Sequence, residues 1–180
     1  MAGALETLCG QAYGAEEYQK LGTYTYSAMI SLIIVAVPIS ILWVFTDKLL
    51  ILVGQDASIS HVAGKYSIYL IPNLFSYAIL QALTRYFQTQ SLILPMLFSS
   101  AATLCFHVPL CWSLVFKAEM GSKGAALAIS LSYWLNVILL WCYMRYSSKC
   151  KKTRAAFSKD VLLSIRVFLR LAVPSAIMTW

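Results

Sequence analysis

Residues 145–170 read RYSSKCKKTRAAFSKDVLLSIRVFLR, and this stretch decides the fold class. It holds Arg145, Lys149, Lys151, Lys152, Arg154, Lys159, Arg166 and Arg170 against a single acid, Asp160. Eight of the chain's fourteen Lys and Arg residues are thus gathered in one connection between two long apolar segments. Lys and Arg are retained on the cytoplasmic side of a membrane, so the cluster assigns the connection to the cytosol and its flanks to membrane spans. A topology determinant is the first reading of the run; a binding site for anionic lipid is the second.

Composition supports a membrane. Sixty per cent of the residues are hydrophobic and 12% are charged, against about half and about a quarter in a soluble domain. The excess lies in runs long enough to cross about 30 Å of hydrocarbon at 1.5 Å per residue. The net charge of +7 therefore belongs to the membrane surface. No aromatic residues alternate with base-reading positions, which sets nucleic acid aside. Cys9, Cys105, Cys111, Cys142 and Cys150 form no CxxC pair and fall mostly within apolar segments, so neither a disulfide framework nor a metal site is expected. The start MAGALETLCGQ has no basic region and carries Glu6, unlike a signal peptide. Both termini are abrupt, and the chain reads as a piece of a longer protein.

The segments follow in order. Met1 to Ala15 is too short to span and contains Gly10 and Gly14, a G-x-x-x-G pair that would admit another helix closely. Glu16, Glu17 and Lys20 mark a polar turn. Spans are expected at about Tyr24 to Phe45, Val62 to Tyr86, Leu92 to Phe116 and Gly124 to Met144, with a further one beginning at Leu163. Asp47, Lys48 and residues 54–60 read as a loop. Pro38, Pro72, Pro95 and Pro109 are expected to bend the helices that contain them. Alternating sides from the basic connection gives ten Lys and Arg inside against four (Lys48, Lys65, Lys117 and Lys123) outside, in the direction of the positive-inside rule.

Few residues advertise chemistry. Asn73, Tyr77, Gln81 and Arg85 recur every four residues, one face of a helix that lipid would penalise. Amides and phenols hydrogen-bond varied ligands without committing to a charge, so this face suits a solute cavity; helix–helix adhesion is the rival. Glu6 is the one acid within an apolar segment. Buried in a protein cavity it would become a candidate for proton coupling, whereas near the interface it would simply be hydrated. His107 reads as a hydrogen-bonded residue between helices before it reads as a proton carrier. Gly124, Ala128, Ser132 and Asn136 form a small-residue stripe ending in an amide, suited to close contact and an interhelical hydrogen bond. No nucleophile–base pair, HExxH, Walker loop or dinucleotide turn is present, so an enzyme is not expected.

Three stretches resemble one family. Residues 4–15, ALETLCGQAYGA, are similar to a motif near the end of the second helix of plant multidrug and toxic compound extrusion (MATE) transporters. Arg85-Tyr86-Phe87-Gln88-Thr89-Gln90, followed by Pro95, resembles that family's R-x-x-Q-x-Q…P turn between helices four and five. Gly121, Gly124-Ala125-Ala126 and Ser132-Tyr133-Trp134 resemble its sixth helix. The resemblance implies an all-α, polytopic transmembrane bundle: most of one six-helix lobe of a twelve-helix transporter. On it, residues 1–144 are the end of helix two through helix six, 145–162 the cytosolic interlobe connection and 163–180 the start of helix seven.

It further implies proton-coupled antiport of small organic solutes or xenobiotics across a plasma or vacuolar membrane. The proton gradient would be the driving force, with no cofactor or metal. Asn73, Tyr77, Gln81 and Gln11 are then cavity candidates and Glu6 the coupling candidate. The missing second lobe is needed to close the cavity and, on the resemblance, holds the carboxylates that plant members rely on. The alternatives are a truncated, non-transporting membrane protein or assembly partner, and a lipid-linked saccharide flippase of the same superfold.

Overall fold

The computed structural model describes residues 2–147 together with 150, 151, 153, 165 and 174. The expected helix beginning at Leu163, and Lys149, Lys152, Arg154, Lys159, Arg166 and Arg170 of the basic connection, lie outside the described residues.

The apolar runs become helices, joined by short turns. These are α1 (Ala2–Gly14), α2 (Tyr18–Val44), α3 (Thr46–Leu52), α4 (Ala57–Thr89), α5 (Ile93–Trp112) and α6 (Ser122–Tyr146). Among the described residues, α2, α4, α6 and α5 with its extension to Lys117 are long and apolar enough to cross a membrane. α2 begins ahead of its expected apolar window and ends with it, and α4 runs beyond its own window at both ends. Their polar ends continue the helix into water, where Lys20 pairs with Glu17 at 2.7 Å. α3 is a helix where a loop was expected: it lies against α4 at Asp47, and Gly64 permits the approach, while Leu49, Ile51 and Leu52 stay exposed. A Cβ at Gly64 would stand 2.7 Å from Asp47 Cβ.

α4 is the hub, touching α1, α2, α3, α5 and α6. Leu5, Leu21, Leu83, Tyr86 and Phe87 are fully buried around it. Phe87 stacks edge-on against Tyr86 (5.3 Å) and Tyr143 of α6 (5.8 Å). Buried hydroxyls are satisfied within their own helices, as Thr25 donates to the Leu21 carbonyl and Ser31 to that of Ser27. Ser130 of α6 also reaches the Tyr69 carbonyl of α4 at 3.2 Å. α5 packs along α6 and leaves Leu97, Phe98, Leu104, Val108 and Trp112 exposed.

The prolines divide into two kinds. Pro38, Pro72 and Pro109 lie inside helices, each removing one backbone bond. Beyond Pro109 the chain widens into a π-helical turn, Ser113–Lys117. Pro95 is instead the third residue of α5. The N–H it lacks is one no helix satisfies internally, so the cause of the expected bend is missing there. Gly10 and Gly14 also differ from expectation: both are exposed, and a Cβ on either would meet nothing within 4 Å.

Asp56 starts α4 as its N-cap, accepting from the Ser58 amide at 2.8 Å and the Ser58 hydroxyl at 2.7 Å. The Ser58 hydroxyl first, then the amides of Ser58 and Ile59, hold its carboxyl below the ordinary value of 3.8. A depressed folded-state value stabilises the fold above the unfolded one and ceases to as pH falls through the folded one. Asp56→Asn should therefore melt below wild type at neutral pH, with the gap closing as pH drops below 3.8. A gap that stays constant with pH would show the cap carries no charge-dependent stability.

Candidate functional site

The four-residue spacing on α4 places Asn73, Tyr77, Gln81 and Arg85 on one face. Pro72, next to Asn73, lacks the N–H that would have bonded the Ile68 carbonyl. Ser76 donates to the Asn73 carbonyl at 2.9 Å. The Asn73 side chain is not satisfied: Oδ1 is buried and has no hydrogen-bond partner among the described residues. Tyr77 is 45% exposed, with its ring 6.1 Å from that of Tyr133 on α6. Tyr77 and Gln81 line a cleft of about 270 Å³ against Leu32, Ala36 and Ile39 of α2.

Arg85 closes the end of the face. Its guanidinium donates to Glu6 Oε2 of α1 at 2.8 Å. Glu6 is exposed rather than enclosed in a cavity, so the burial that would make it a proton carrier is not met in this arrangement. The face is left with neutral hydrogen-bonding groups and one neutralised pair. Gln11, the remaining candidate, is exposed on α1.

A second polar cleft, of about 430 Å³, lies between α4, α5 and α6 and includes Thr103, His107, Ser132, Tyr133 and Asn136. His107 Nδ1 stands 2.9 Å from Ser132 Oγ. The Ser132 proton is already given to the Ala128 carbonyl at 2.7 Å. Ser132 Oγ can then only accept, which assigns the His107 proton to Nδ1 and leaves Nε2 as an acceptor. Asn136 Oδ1 is buried without a partner, so the interhelical bond expected of this amide is not made among the described residues. The constellation was half visible in the sequence, as the stripe from Gly124 to Asn136; its pairing with His107 was not. Among the described residues no group of three or more His, Cys, Asp or Glu could hold a metal ion.

The geometry matches known proteins closely. The MatE family profile matches residues 1–113. Protein DETOXIFICATION 9 of Arabidopsis thaliana is 54% identical over 178 residues, covering 99% of this chain and 37% of the relative. Protein DETOXIFICATION 6 of the same plant is 55% identical over 179 residues, with the same coverage. The crystal structure of the eukaryotic MATE transporter AtDTX14 superposes with a TM-score of 0.95 at 54% identity, over 97% of this chain and 39% of that one. The chain therefore spans under two fifths of the length of these relatives. Fold, sequence and membrane-length helices agree: the chain belongs to the MATE family of integral, multi-pass membrane proteins.

Proposed function

We propose that this chain forms most of one lobe of a secondary active transporter that exports organic solutes in exchange for protons. The observation that carries the reading is the match in fold and sequence, along nearly the whole chain, to a eukaryotic MATE transporter. Asn73, Tyr77 and Gln81 would face the solute, and the unpartnered Asn73 Oδ1 supports this: a buried acceptor without a donor is costly unless something supplies one. With the lobe's basic connection in the cytosol, the α4 face would look into the cavity between the two lobes of a plasma or vacuolar membrane protein. Glu6, held by Arg85, would have to release that partner before it could take up a proton. Coupling through carboxylates of the second lobe therefore fits the geometry better.

The test is proton-gradient-driven flux in proteoliposomes of the full-length protein that carries this sequence. Asn73→Ala should lower solute flux by about two- to tenfold, the worth of one hydrogen bond, without abolishing the response to the gradient. Glu6→Gln should retain gradient dependence. No flux for any organic solute under a gradient, with the protein folded, would leave a non-transporting assembly partner as the better account.

A further inference from the structure

Beyond Arg85, which closes the end of the solute face, the R-x-x-Q-x-Q run to Gln90 lies outside that face, and its side chains are tied to two other parts of the chain. Arg85 Nη1 reaches Glu6 of α1 at 2.8 Å and Gln88 Oε1 at 2.9 Å. Gln88 thus steadies the guanidinium that holds α1. Tyr86 and Gln90 hold something else, the chain that leaves α6. The Tyr86 hydroxyl lies 2.6 Å from Thr153 Oγ1, and the Thr153 hydroxyl is 3.0 Å from Gln90 Oε1. Gln90 Nε2 in turn donates to the Tyr86 carbonyl at 3.1 Å.

A hydroxyl has one proton to give and lone pairs to receive, so the direction of this circuit follows. Tyr86 donates to Thr153, Thr153 donates to Gln90, and Gln90 donates back to the Tyr86 backbone. The Cys150 carbonyl, 3.2 Å from Thr153 Oγ1, shares the same proton. The circuit is shut away from water: Tyr86 and Cys150 are fully buried, and Thr153 is 3% exposed. Buried polar groups are tolerated when they are mutually satisfied, and here satisfaction requires residue 153 to be in place.

We propose that the R-x-x-Q-x-Q turn is a docking site for the chain's own connection beyond α6. Tyr86 and Gln90 hold Thr153 and, through it, Cys150, while Arg85 and Gln88 hold α1. The basic connection is then fastened to this bundle as far as Thr153. Nothing in this docking depends on which solute is carried, or on whether any is.

Cys150 is the reporter, because its side chain is fully buried where the connection docks. In the full-length protein with every other cysteine replaced by alanine, N-ethylmaleimide labelling of Cys150 is followed in native membranes. Wild type should label slowly, and Thr153→Ser should keep that protection. Thr153→Val and Gln90→Ala should each speed labelling by at least about tenfold, as expected when a buried hydrogen-bond circuit opens locally. Tyr86→Phe keeps the ring and removes only the hydroxyl, so it reports on the circuit even if Gln90→Ala does not accumulate. Glu6→Gln should leave Cys150 protected, because its partner Arg85 lies outside the circuit. Wild-type labelling as fast as in denaturant overturns the docking. So does an unchanged rate in Thr153→Val, or loss of protection in Glu6→Gln, which would show general loosening.

Discussion

Replacing Phe87 by alanine should cost the bundle about 2–3 kcal/mol, at about 24 cal/mol per Å³ of cavity and roughly 100 Å³ removed. Phe87 is fully buried where α4 meets α6, edge-on to both Tyr86 and Tyr143. In lipid there is little hydrophobic gain from bringing one apolar helix to another, because the tails are as apolar as the side chains. The contact is therefore held by dispersion and ring geometry, each edge-to-face pair contributing about 0.5–1.5 kcal/mol beyond area. A cavity forfeits those terms outright and cannot recover them from solvent. The measurement is unfolding by SDS titration in mixed micelles, with Phe98→Ala alongside. Phe98 is 69% exposed on α5, and its loss should fall within about 0.5 kcal/mol of neutral. Equal losses at the two positions would mean that α4 and α6 are not packed as described.

Why one phenylalanine matters and the other does not was not legible in the sequence, where Phe87 sits in the polar turn Arg85–Gln90 and Phe98 in an apolar run. Periodicity reports which residues share a face of one helix; it does not report what that face meets. Asn73, Tyr77 and Gln81 could be placed on one face by counting, but the Glu6–Arg85 pair joins residues 79 apart and no spacing within a helix predicts it. His107 and Ser132 illustrate the same limit: each stood out alone, and their bond depends on how α5 lies on α6. Span number and order were readable because the bilayer imposes a minimum apolar length. The start of α2 and both ends of α4 were not, since polar residues in those turns mark the water boundary rather than the end of the helix. α3 was hidden behind Asp47 and Lys48, whose charges read as a loop although Asp47 itself packs on Gly64.

Glycine shows most sharply how contact differs from pattern. Gly124→Ala should destabilise the bundle by about 1–3 kcal/mol, the usual cost of forcing an extra methyl into a filled site. A Cβ there would stand 2.6 Å from the Leu114 carbonyl oxygen and 2.8 Å from its carbon. Both are backbone atoms of the π-helical turn, so no side-chain rotation relieves the clash. The same carbonyl accepts the Met120 amide at 3.3 Å, and pushing it away would loosen the turn that reverses the chain between α5 and α6. That turn has little slack, with Glu119 and Gly121 both at φ 53. Gly10→Ala supplies the contrast. Its Cβ would meet nothing within 4 Å, so alanine's better helix propensity should be neutral or stabilising by up to about 1 kcal/mol. SDS titration of both variants in the full-length protein separates the two cases. A loss at Gly124 alone locates the close helix contact at the α5–α6 turn, where backbone meets backbone. A comparable loss at Gly10 would mean that a helix beyond the described residues packs on α1, and the G-x-x-x-G pair would regain the role its spacing suggested.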